Sequence, residues 1–102
     1  MNHAKKIIDR LTPSELAVYG HVFEKTIGGN RITGPEMEHM STREKGARSW
    51  ATPHLRKLES LGLVDRVPGG SKTVSWEISV HGIEVAHEGK LSKAVAASKA
   101  AK

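Results

Sequence analysis

Cysteine is absent from the 102 residues, and with it any disulfide framework, thiolate zinc site, iron–sulfur cluster or cysteine nucleophile. Aromatic residues are scarce: two Trp, one Tyr and one Phe. A stacking platform for single-stranded nucleic acid needs several in one groove, so that class is not expected. The longest stretch free of Asp, Glu, Lys and Arg runs from Leu16 to Phe23, far short of the roughly 20 apolar residues of a membrane span. No charged-then-apolar signal peptide opens the sequence, and a cytoplasmic location is expected. Six histidines occur, at 3, 21, 39, 54, 81 and 87, with no His-x-x-x-His pair and no His-Glu-x-x-His. They read as surface or core residues, so no metal and no cofactor are expected. No nucleophile–base–acid set assembles, and neither Gly28-Gly29 nor Gly69-Gly70 fits a phosphate loop. The expectation is no enzyme and no small-molecule ligand.

What is present is an ordinary globular balance, 37% hydrophobic and 26% charged, at a length that suits one domain. The net charge is +5. Residues 46–72 carry five positive and two negative side chains, net +3, while 1–45 and 73–102 are each net +1. Basicity alone is a weak pointer to nucleic acid; its placement on an element shaped for a groove is what counts.

Thr12-Pro13-Ser14-Glu15 is a helix start with a capping box and proline at the first helical position. Leu16, Tyr19, Gly20, Phe23 and Ile27 then give one apolar stripe, ended by Gly28-Gly29. Ile7, Ile8 and Leu11 predict a short helix before it, with Lys5, Lys6 and Arg10 outward. Arg31-Ile32 is a stub of strand. Thr33-Gly34-Pro35-Glu36 opens another helix through about Met40, and Met37 and Met40 read as core filler. Residues 41–48 form a basic connector. A helix anchored by Ala51, Leu55, Leu58 and Leu61 ends at Gly62. Leu63–Val67 and Thr73–Ile78 form a two-stranded hairpin with its tip around Gly69–Lys72. Ser79 caps a last helix with Ile83, Val85 and Ala86 inward. The segment from Leu91 is Ala/Lys/Ser-rich, helix-favouring but with little to bury.

That order of helix, stub strand, two helices, hairpin and helix is the order of a winged helix, an α+β and mostly helical fold with a short two-stranded β-hairpin wing. The expected core is Leu16, Phe23, Ile32, Leu55, Leu58, Leu61, Val64, Trp76 and Ile78. The organisation is a winged-helix domain over 1–90 and a basic Ala/Lys-rich tail, helical or frayed, over 91–102. Leu11-Thr-Pro-Ser-Glu-Leu-Ala-Val-Tyr19 resembles the opening helix of the MarR-like (multiple-antibiotic-resistance regulator) transcription factors. Leu55-Arg-Lys-Leu-Glu-Ser-Leu-Gly-Leu-Val-Asp-Arg66 resembles the end of their recognition helix and first wing strand, and Ile78-Ser-Val-His-Gly82 their following helix start. The resemblance spans roughly Leu11 to Glu88. It implies a small single-domain winged helix-turn-helix protein that binds double-stranded DNA and acts in transcription regulation. It also implies a homodimer through the N- and C-terminal helices, here through Ile7, Ile8, Leu11, Ile83, Val85, Leu91 and Val95.

With Ala51, Leu55 and Leu58 facing the core, the helix around 49–61 leaves Ser49, Trp50, Thr52, His54, Arg56 and Lys57 outward. Trp50 has two readings, a wedge against bases or a cover on the core, and the core role is favoured. Arg grips guanine bidentately, while Ser, Thr and Lys serve phosphates. The expected DNA contacts are Arg43, Lys45, Arg48, Ser49, Thr52, His54, Arg56 and Lys57, with Lys72 on a wing-tip phosphate. Two alternatives stay open: a winged helix that docks on a protein, of the viral or plasmid modulator type, and an RNA-binding assembly module.

Overall fold

Thr12 holds extended backbone (φ −71°, ψ 162°) and Pro13 opens the helix that follows. The Thr12 hydroxyl accepts the Glu15 N–H at 3.2 Å, and the Glu15 carboxylate accepts the Thr12 N–H at 2.9 Å. The capping box expected there is in place. In the computed structural model, which describes residues 3–33, 51–67 and 74–100 (the side chains of 98–100 apart), this helix lies at the centre. The described elements are α1 (His3–Asp9), α2 (Pro13–Thr26), β1 (Ile32–Thr33), α3 (Ala51–Ser60), β2 (Val64–Val67), β3 (Ser75–Ile78), α4 (Val80–Glu88) and α5 (Leu91–Ala100). Together they make a small α+β body with one antiparallel sheet of order β1-β3-β2. The helix expected through Met40, the connector and the hairpin tip lie outside the described residues.

α2 has two occupied faces. Leu16, Val18, Tyr19, Val22 and Thr26 are buried, on the side where the helix meets α3, α4 and the sheet. Ala17, Gly20, His21 and Glu24 instead form one wall of a groove of about 370 Å³, opposite Leu91, Ser92, Val95 and Ala96 of α5. At 3.6 residues per turn the two sets fall on nearly opposite sides of the helix. The single stripe expected from Leu16 to Ile27 is therefore corrected. Ile27 is 45% exposed, and Phe23 is half-buried with its ring edge-on to His87 at 5.8 Å. Val18 and Val22 take the core positions because the deepest core lies on one side of α2 and α5 on the other.

α3 buries Ala51, Leu55 and Leu58, as its spacing predicts. Its end corrects one core assignment. Gly62 takes φ +79°, donates its N–H to Glu59 O, and lets Leu63 N–H reach Leu58 O at 2.9 Å. This is a Schellman closure, in which the residue after the glycine folds back on the helix. Leu63 is fully buried, and Leu61, at the turn, is 36% exposed. β2 starts at once, so Leu63 and Val64 are both buried and strict alternation is lost. β3 does alternate: Trp76 and Ile78 are buried, Ser75 and Glu77 less so. The stub strand joins this hairpin, pairing Ile32 with Trp76, while Val64 pairs with Ile78.

Where α2, β3 and α4 meet, buried polar groups satisfy one another. Thr26 Oγ1 accepts the Ile78 N–H at 2.8 Å and donates to Val22 O at 2.7 Å. Ser79 caps α4 by accepting the Gly82 N–H at 2.8 Å, and its hydroxyl donates to Gly62 O. The Tyr19 hydroxyl donates to Gly82 O. Gly82 itself packs so closely that a Cβ would collide with the Leu63 carbonyl oxygen. Among the described residues, no buried side-chain polar atom lacks a partner.

The two ends of the chain close the other side. Ala4, Ile8 and Leu11 are buried, α1 packs on α4 and α5, and Gly89 sits so close that a Cβ would collide with Ile8 Cδ1. Leu91 is 3% exposed and Val95 packs against the core. α5 thus belongs to the same packed body as the preceding helices. The residues expected to meet a second copy are used within the chain: Ile8, Leu11, Val85 and Leu91 are buried, and Ile7, Ile83 and Val95 are half-buried against the core.

Candidate nucleic-acid interface

The described outer half of α3 starts from its buried half. Three anchors, Ala51, Leu55 and Leu58, fix the rotation of the helix. Arg56 and Lys57 are then fully on the solvent side, and Thr52 and His54 lie half-buried at its flanks. Pro53 stands in the first turn of the described helix, where a missing N–H is tolerated. Arg56 and Lys57 are adjacent in sequence and so about 100° apart around the axis. They straddle the outermost line of the helix.

One residue that the sequence reading used only as a motif letter enters the site. Arg66 on β2 stands 4.0 Å from the Glu59 carboxylate, both side chains largely exposed. Glu59 is the one acid of α3, so Arg66 offsets the negative charge beside Arg56 and Lys57. The pairing follows from the Schellman turn, which folds β2 back along α3. A reading by helix and strand separately has no signal for it. On the far edge of the sheet Arg31 is held 3.6 Å from Glu77. Exposed pairs of this kind contribute little to stability, a median of about 0–1 kcal/mol.

Of the expected DNA contacts, the structure brings together Thr52, His54, Arg56 and Lys57. Arg43, Lys45, Arg48, Ser49 and Lys72 lie outside the described residues, as does Trp50. Among the described residues no cluster of three His, Asp or Glu is placed to hold a metal ion. No described helix is long and apolar enough to cross a membrane. The Tyr19 phenol is pushed well above its ordinary pKa by burial, but it faces the α4 backbone inside the core and serves the fold.

This face can grip phosphates and guanine edges with a guanidinium and an ammonium on a rigid helix. No protein-family model matches the chain, and a search of curated proteins found no match.

Proposed function

We propose that this protein is a winged-helix binder of double-stranded DNA, a small transcription regulator that lays α3 in the major groove. The observation that carries the reading is the outer half of α3. Its buried anchors leave Arg56 and Lys57 exposed, and Glu59 is offset by Arg66. A stub strand joined to the β2–β3 hairpin, with α3 immediately before that hairpin, supports the winged-helix reading. The MarR-like motifs at Leu11–Tyr19, Leu55–Arg66 and Ile78–Gly82 point the same way. The wide B-form major groove accepts a helix, whereas the deep, narrow A-form groove of RNA does not. The reading is of a binding protein, with no catalytic role.

Fluorescence anisotropy on a mixed-sequence duplex tests it, followed by selection of sites from random duplex DNA. The expected result is binding whose log affinity falls with log salt by about 0.9 per phosphate neutralised, with an enriched motif. Absence of duplex binding, or binding that ignores ionic strength, would move the assignment to a protein-docking winged helix.

A further inference from the structure

The β2–β3 hairpin sorts its charges by face. Cross-strand partners share a face of a sheet. Val64 pairs with Ile78 and Arg66 with Trp76, and Val64, Trp76 and Ile78 are buried. Arg66 therefore stands on the core-side face. Asp65 pairs with Glu77 on the other face, where Arg31 reaches Glu77 at 3.6 Å. The described acids of the hairpin thus point away from the side on which its one described cation lies. β2 is an edge strand in the order β1-β3-β2, and α3 packs beside it. An arginine on the core-side face of that edge is steered out of the core toward α3, where Glu59 meets it.

Glu59 is three residues from Arg56, the spacing of neighbours on a helix surface. Arg56, Glu59 and Arg66 therefore form one row from α3 to β2, with the acid in the middle. The contact that holds Arg66 is loose. Its Nε stands 4.0 Å from the carboxylate, and the two side chains are 53% and 42% exposed. That is beyond the about 2.7–3.2 Å of an N–H···O bond, and water and salt weaken such a pair further.

We infer that Arg66 is a DNA phosphate contact held in reserve by Glu59: in the free chain its guanidinium rests on the carboxylate, and on a duplex it exchanges that carboxylate for a phosphate. The inference rests on the duplex-binding reading of α3. A helix lying in the major groove, about 12 Å wide, has a phosphate backbone along each flank, and Glu59 and Arg66 stand together on one flank of α3. Glu59 offers Arg66 a single carboxylate at long range. The backbone offers a charge about every 1.7 Å of duplex, with condensed counterions to release. A guanidinium fork matches phosphate oxygens bidentately. Glu59 is then a brake, since it gives up its partner and turns to solvent whenever a duplex binds.

The test uses the full chain, one duplex and a salt series read by anisotropy, with urea midpoints taken on the same samples. The variants are Arg66→Ala, Arg66→Lys, Glu59→Gln and Glu59→Gln/Arg66→Ala. Arg66→Ala should weaken binding by about tenfold and lower the salt slope by about one unit, and Arg66→Lys should restore most of that slope. Glu59→Gln should tighten binding by about two- to fivefold with the slope unchanged, and this gain should shrink when Arg66 is absent. Urea midpoints should stay close to that of the natural chain. The Arg56→Ala/Lys57→Ala variant, run alongside, reports on the α3 reading by itself. An unchanged slope in Arg66→Ala, with binding lost in that α3 variant, overturns the inference and leaves the α3 reading intact. Equal gains from Glu59→Gln with and without Arg66 overturn it too, reducing Glu59 to plain repulsion of phosphates. Affinity that falls in step with the urea midpoint assigns Arg66 to the fold and overturns it as well. Absence of duplex binding by the unaltered chain ends both readings.

Discussion

The junction of α2, β3 and α4 and the outer face of α3 use polar groups in opposite ways. At the junction, Tyr19, Thr26 and Ser79 are buried and each hydroxyl has a named backbone partner. On α3, Arg56 and Lys57 stand in solvent, and the ion pair of Glu59 with Arg66 is long and exposed. Buried hydrogen-bonded groups are costly to disturb, and exposed charges contribute little to folding. The difference teaches that uncharged groups secure the junction, while Arg56 and Lys57 take no part in it.

The sharpest way to break that contrast is Gly82→Ala. Its Cβ would collide with the Leu63 carbonyl oxygen, which is backbone and cannot swing away. The expected loss is about 3 kcal/mol or more, or failure to fold, read from urea unfolding. Leu63→Ala should cost about 2–5 kcal/mol because Leu63 is fully buried. Leu61→Ala, two residues away on the exposed turn, should change stability by under about 0.5 kcal/mol. Equal effects of the two leucine substitutions would refute the Schellman closure.

Tyr19→Phe comes next, at about 1–2 kcal/mol, since the Gly82 carbonyl loses its phenol donor. It also carries a pH signature. Burial raises the folded-state pKa of Tyr19 above its ordinary value of 10.0, so the neutral phenol stabilises the fold fully below pH 10. That contribution is lost as pH rises from there toward the folded-state pKa, by up to about 1.4 kcal/mol per unit. Urea midpoints of the natural chain and Tyr19→Phe should therefore converge above pH 10. Parallel curves across that range would place Tyr19 outside the buried bond.

Much of this scaffold was legible from local chemistry. Thr12 with Glu15, Ser79 as a cap, the stop at Gly62 and the Ala51-Leu55-Leu58 spacing each act within four residues of sequence, and each recurs in the structure. What failed to show was set by packing from a distance. A helix covered on two sides carries no single stripe, so α2 concealed Val18 and Val22 behind the apparent periodicity of Ile27. α5 looked poor in apolar area, yet Leu91 alone anchors its start in the core and Val95 meets the α2 groove. On the site, the outward half of α3 followed from its inward half. The Arg66–Glu59 proximity did not, because it depends on how the chain turns at Gly62.

The comparison is tested most directly by one pair of readings on one variant, Arg56→Ala/Lys57→Ala. Duplex affinity is measured between about 50 and 200 mM salt, a range over which phosphate contacts are strongly attenuated, and the urea midpoint is taken on the same samples. The account predicts weaker binding, a salt slope smaller by about one to two units, and a midpoint shifted by no more than the equivalent of about 0.5 kcal/mol. An unchanged affinity and slope, or a midpoint that falls in step with binding, would contradict it.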